Sequence, residues 1–167
     1  AAGGGVVRSS VLRAYGEGPR VYNIGSSGSV VGDYNNLLRA EGAYIAQKNN
    51  VVGGDDYYET VSSWAARYGH DQHSLSHDPQ FADIVNGDFH ERSAMGRVLA
   101  DGTWTNDPGI FSVLLDTAAP GLSYTNELAP NGLRPNLGLY GGTDHASLSQ
   151  TNPWVLALPL NDGGMAP

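Results

Sequence analysis

The chain has 167 residues, 40% of them hydrophobic, which is enough to bury the core of one domain. Its 23 glycines are about twice the usual share and lack the G-X-Y period, which excludes collagen and points to many tight turns. A net charge of −8, a pI near 4.8, a single lysine (Lys48) and scattered arginines exclude a phosphate-neutralising nucleic-acid surface and a polybasic lipid patch.

The first candidate strands are β-branched and short: Val6 to Leu12, Arg20 to Ile24, Val30 to Leu38 and Ala43 to Ala46. Gly16-Glu17-Gly18-Pro19 and Gly25-Ser26-Ser27-Gly28-Ser29 separate them as turns. Ser10 to Gly16 aligns without gaps on Asn36 to Gly42 at an offset of 26 residues, a spacing compatible with one coil of a β-solenoid. That alignment superimposes Arg13 on Arg39 and places Ser10, Asn36 and Asn35 where polar side chains could bond from coil to coil.

The period then changes. Val61, Trp64, Ala65 and Tyr68 fall at i, i+3, i+4 and i+7, with Thr60 as N-cap and Gly69 as the C-terminal stop. This predicts a helix over about 60–68, packed across the coils and anchored by Trp64. Beyond Gly69, turn punctuation is dense: Asp78-Pro79, Asn86-Gly87-Asp88, Asp107-Pro108, Ala119-Pro120-Gly121 and Ala129-Pro130-Asn131-Gly132. Residues 70–150 therefore read as a loop-rich cap. Trp154 to Leu160, flanked by Pro153 and Pro159, reads as an edge strand or the start of a linker. No apolar run approaches the ~20 residues of a membrane span, and the Met-less opening Ala1 to Gly5 reads as a fragment or processed product. Absent cysteines fit the cytosol and exported repeat proteins alike.

Several segments carry a family likeness in order: Asp33-Tyr34-Asn35-Asn36-Leu37; Trp64 with Gly69-His70-Asp71; Ser74 with Asp78-Pro79-Gln80-Phe81; and Asn86-Gly87-Asp88-Phe89-His90. Ser112 to Asp116 follows, then Glu127, Pro130-Asn131-Gly132, Arg134, Asn136, Gly138, Tyr140-Gly141-Gly142-Thr143 and Ala146-Ser147. Together they resemble the C-terminal portion of right-handed parallel β-helix repeat proteins, the pectin-lyase-like superfamily of large secreted bacterial type. The chain departs from that pattern at Thr117-Ala118-Ala119-Pro120, where the family carries Ala-Gly-Asp-Pro, and in a longer insert from Arg97 to Gly109.

The resemblance implies a mostly-β fold, a right-handed parallel β-helix of a few coils with one short α-helix and a loop-rich C-terminal cap. Its parts would be terminal coils over 1–58, helix plus cap over 59–150, and a linker or tail over 151–167. Trp64, Asp78, Pro79, Phe81, Asn131, Gly132, Asn136, Gly138, Tyr140 and Gly141 would be structural. The location would be extracellular, cell-surface or periplasmic, and upstream coils or a protein partner would cover the open N-terminal end.

No constellation in the sequence reads as catalytic. His70, His73, His77 and Asp78 are candidate metal ligands, yet the H-x₂-H-x₃-H spacing matches no standard site, and a polar loop is the better reading. Asp55, Asp56, Asp88, Glu91, Asp101, Asp107, Asp116 and Glu127 could supply a glycosidase pair, but the sequence brings no two to the needed separation. Arg13 and Arg39 could line a carbohydrate-binding face, without the acidic neighbours that a lyase-type calcium site needs. No cofactor is expected, and calcium has no support at this level. The expectation is thus a non-catalytic structural or interaction module, an accessory of a larger assembly. The alternatives are the end of a polysaccharide lyase or glycoside hydrolase with its active residues upstream, or a carbohydrate-binding module.

Overall fold

The computed structural model describes residues 3–150; the 151–167 tail and the Trp154 to Leu160 run lie outside them. Eleven strands and one helix occur among the described residues, in two compact units that meet in sequence between His77 and Asp78.

The first unit contains β1 (Gly4–Arg8), β2 (Val11–Ala14), β3 (Arg20–Ile24), β4 (Ser29–Asp33), β5 (Asn36–Arg39), β6 (Tyr44–Lys48), β7 (Asp56–Tyr58) and α1 (Val61–Tyr68). The runs Val6 to Leu12 and Val30 to Leu38 are each broken into two strands. The breaks fall at Ser9 and Tyr34, which turn the chain with φ of 49° and 54° in the left-handed region. Neither residue type announces such a corner, so both runs read as continuous in the sequence.

Three parallel pairs form: β1 with β4, β2 with β5, and β3 with β6. The register places Leu12 opposite Leu37 and Arg13 opposite Leu38, an offset of 25 residues rather than 26. A one-residue slip exchanges the faces of a strand. The observed register sets Leu12 beside Leu37, which is wholly buried at 0% exposure, and separates the two arginines.

The expected parallel β-helix is corrected by this topology. The sheets are small and separate, none larger than three strands, and pairing is mixed. Among the described residues no third strand joins a parallel pair in parallel, pairing beyond β5 being the isolated bridge of Asn36 to Leu75, and β7 returns antiparallel to β6 to complete a sheet ordered β3-β6-β7. The physical reason lies in the punctuation after Lys48. Glycines at 53 and 54 with positive φ reverse the chain instead of carrying it into another parallel strand.

α1 is capped as its sequence dictates. The Thr60 side chain accepts from the Ser63 N–H at 3.0 Å, and Gly69, at φ 71°, donates its N–H to the Ala65 carbonyl. Its apolar face buries Val61 and Trp64 against Tyr22, Ile24, Leu37, Ile45 and Ala46. Rather than crossing stacked coils, the helix closes this single core. Trp64, 1% exposed, has ring centroids of Tyr68, Tyr58 and Tyr22 at 4.4, 5.5 and 6.0 Å.

The second unit holds two antiparallel pairs, β8 (Phe81–Asp83) with β9 (Asp88–Glu91), and β10 (Arg97–Val98) with β11 (Trp104–Thr105). The rest is turns around buried Leu114, Leu115, Ala118, Leu137 and Ala146. The Arg97–Gly109 insert is pinned by ion pairs: Arg97 reaches Asp107 at 2.9 Å and Asp88 at 3.1 Å, and Arg92 reaches Asp107 at 3.1 Å.

Trp64→Ala should destabilise the chain by about 3–5 kcal/mol, the range for truncating a large buried aromatic. Urea unfolding followed by far-ultraviolet circular dichroism checks this, and a loss under about 1 kcal/mol would show that Trp64 does not anchor the core.

Candidate functional site

In the first unit a single carboxylate gathers the polar interior. Asp71, 1% exposed and itself at φ 53°, accepts from Trp64 Nε1 at 3.1 Å, Asn35 Nδ2 at 2.9 Å, Ser74 Oγ at 2.6 Å and, at 3.5 Å, the Tyr22 hydroxyl. Its own N–H donates to the Gly32 carbonyl at 2.7 Å. A Cβ at Gly32 would stand 2.5 Å from Asp71 Oδ2, so only glycine admits the carboxylate. Burial, the charge of Asp71 and its hydrogen bond together raise the Tyr22 phenol well above its ordinary value.

The candidate metal ligands each have separate partners. His73 Nδ1 lies 2.9 Å from Asp33 Oδ2, its N–H donates to Asp33 Oδ1, and its ring stacks on Tyr34 at 4.8 Å. Burial works against the Asp33 charge, but the His73 side chain and the N–H groups of His73 and Tyr34 hold its carboxyl below the ordinary range. His70 tilts against Trp64 at 6.5 Å. The backbone of His77 clasps the side chain of Asn36 through an N–H and a carbonyl, at 3.0 and 2.8 Å. Asp78 Oδ1 accepts from the Gln80 N–H. Among the described residues, no three side chains of His, Cys, Asp or Glu converge as metal ligands.

Arg13 and Arg39 do not form a row. Arg13 lies 4.6 Å over the Tyr15 ring, while Arg39 bonds to Glu59 through its side chain and backbone and to the Ala43 carbonyl.

The second unit has its own acidic interior, built from its turn-rich segments between Ser112 and Ser149. Asp116 Oδ1 accepts from the Gly132 N–H at 3.0 Å and Ser149 Oγ at 2.7 Å, and the Asp116 N–H donates to Asn136 Oδ1. Glu127 Oε1 takes the N–H groups of Asn136 at 2.9 Å and Gly142 at 2.7 Å, while Asn131 Nδ2 donates to the Glu127 carbonyl. Tyr140 stacks on His90 at 3.8 Å. Glycines are again steric necessities, since side chains at Gly132 and Gly141 would collide with Asp116 and with the Asn136 carbonyl.

Glu91, at the end of β9, is 0% exposed, and neither carboxylate oxygen has a hydrogen-bond partner. Burial pushes its pKa up to about 8, with the neighbouring Glu127 charge adding to the shift. Burial likewise raises Glu127 against the N–H bonds of Gly142 and Asn136, and raises Asp116. Of the carboxylates open to pairing in sequence, Glu91 and Glu127 both border the 136–142 turn, Glu91 against Gly138 and Glu127 on the N–H groups of Asn136 and Gly142. Both are sealed inside the protein, at 0% and 5% exposure, where no sugar ring could sit between them as a glycosidase requires. No sequence signal marks Glu91 as buried, because it ends an ordinary turn-flanked strand.

Comparisons with family models, with curated proteins and with solved structures found no match to this chain.

Two outcomes follow from these geometries. Asp71→Asn should cost about 1–3 kcal/mol, because an amide turns a donor toward groups that are already donors. Chemical denaturation checks this, and Asp33→Asn, at a partly exposed contact with His73, should lose less. Glu91 has an ordinary value of 4.5 and a folded value near 8, so the folded state holds its proton more tightly than the unfolded state does. In buffer free of divalent metal, its contribution to stability should be full below about pH 4.5 and lost as pH rises through 8. Melting temperatures of wild type and Glu91→Gln across that window test the sign: the advantage of the variant should grow with pH.

Proposed function

We propose that the chain is a non-catalytic structural or interaction module of a secreted or cell-surface protein. The supporting observation is how the buried acids are used. Asp71, Asp116 and Glu127, the kind of group that catalysis exposes at a cleft, receive backbone and side-chain donors that tie loops together. The lack of cysteine and the near-absence of lysine accompany an acidic exterior suited to a soluble extracellular part. No helix among the described residues is long and apolar enough to cross a membrane.

A second reading, a carbohydrate-binding module, draws on Trp104. This indole is 43% exposed and lines a shallow cleft with Met95, Gly96, Thr105, Asn106 and Leu148, a small apolar platform edged by amide and hydroxyl groups.

The purified chain incubated with acidic and neutral polysaccharides should release no reducing ends and no unsaturated products. Turnover that Glu91→Gln or Glu127→Gln abolishes would overturn the structural reading. Retention on an insoluble polysaccharide that is lost in Trp104→Ala would favour the carbohydrate-binding one. Fractionation with an antibody to the chain should place the native protein in the medium or cell envelope, and a purely cytosolic pool would contradict the location.

A further inference from the structure

Two buried acids of the second unit have lone pairs that the protein supplies no donors for. Both oxygens of Glu91 and Oε2 of Glu127 are inaccessible and without hydrogen-bond partners. Buried carboxylates normally collect donors or a counter-charge, because a desolvated and unpaired anion costs several kcal/mol. Here both border one turn: a Cβ at Gly138 would stand 2.5 Å from Glu91 Oε1, and Glu127 Oε1 accepts from the N–H groups of Asn136 and Gly142. The nearby cations are engaged elsewhere: Arg92 and Arg97 hold Asp107 and Asp88, and Arg134 donates to the Thr117 and Ala118 carbonyls. His90 turns its Nδ1 to Asp88 and stacks on Tyr140.

We propose that Glu91 and Glu127 bind one calcium ion, enclosed by the 136–142 turn. Three features select the ion. The unpartnered atoms of the two acids are carboxylate oxygens, which suit a hard cation; His90 Nε2, the other buried unpartnered side-chain atom of this unit among the described residues, does not group with them as a third ligand. Two carboxylates balance a divalent charge. No third acidic or histidine side chain joins them among the described residues, so the remaining ligands would be backbone oxygens or water. Calcium accepts such a mixed shell of six to eight oxygens in flexible geometry, whereas magnesium demands a near-ideal octahedron.

The turn is shaped for this arrangement. Glu127 is held by the N–H groups of Asn136 and Gly142 through its other oxygen, which leaves Oε2 for the ion. The Ser147 hydroxyl fixes the backbone of Glu91 by donating to its carbonyl at 2.6 Å. At Gly138 a Cβ would stand 2.5 Å from Glu91 Oε1, so a side chain there would displace the carboxylate.

The test is calorimetric titration of CaCl₂ into the EDTA-treated full chain, with thermal unfolding alongside. The expected result is one saturable site with a Kd of about 10⁻⁴–10⁻³ M, as in extracellular calcium modules. The melting temperature should rise with calcium and respond much less to MgCl₂. Glu91→Gln keeps the shape and removes one ligand charge, so it should weaken calcium binding at least tenfold while remaining folded by circular dichroism. Gly138→Ala should weaken it too, with every charge intact. Absence of a saturable site in wild type overturns the proposal. So does calcium binding that is undiminished in both variants, since the ion would then sit on the acidic exterior.

Discussion

The first unit depends on one buried negative charge. Asp71 is held in the left-handed region, and from there its carboxylate reaches a strand (Tyr22), a strand corner (Asn35), the helix (Trp64) and the following loop (Ser74). Without it these donors would lose their shared acceptor in a buried interior, and without them the acid would be stranded. Satisfaction of the whole set therefore fixes where α1 packs, which hydrophobic contact alone would specify less sharply. Gly32 completes the arrangement by giving up the volume of a side chain.

The same device recurs in the second unit, where regular structure is sparse. Strands of two to four residues supply few ladder bonds, so turn backbones must find partners elsewhere. Asp116 and Glu127 supply them from the side-chain inventory, and the Asn136 side chain bridges the Asp116 N–H and the Ser147 carbonyl. Interior acids are a costly way to hold loops, because each needs nearly complete compensation. Glu91 shows the limit of that strategy, as a carboxylate placed where no donor follows it.

How much of this was legible depended on whether the signal was local. The helix could be read because its N-cap, apolar stripe and terminal glycine lie within ten consecutive residues. The coil register could not: the weak repeat aligns better at 26, where Arg13, Ala14 and Gly16 meet Arg39, Ala40 and Gly42, and only three-dimensional packing of Leu12 beside Leu37 decides for 25. That single residue also removes the arginine row. The solenoid expectation failed at the next level, because the sequence shows strands and turns but not whether a third parallel partner follows β6. The histidine-rich stretch drew attention to its imidazoles, while the residue that organises the unit was the aspartate among them. Glu91 was out of reach, because burial of a polar strand end is decided by segments about forty or more residues downstream, including Gly138 and Ser147.

The spacing of the parallel pairs has an evolutionary consequence. The first two ladders keep an offset of 25 residues, yet the third runs at 24, with Arg20 opposite Tyr44. The difference is absorbed between β2 and β3 on one side and β5 and β6 on the other, where the Gly18 N–H bonds to the Gly42 carbonyl. Length variation is already tolerated at that turn. By contrast, the corners at Ser9–Ser10 and Tyr34–Asn35 are equal in length, and one added residue in either would invert the faces of the strand that follows. Drift by insertion and deletion should therefore accumulate at the glycine turn and be purged at the corners, so that two loops of one unit evolve at different rates.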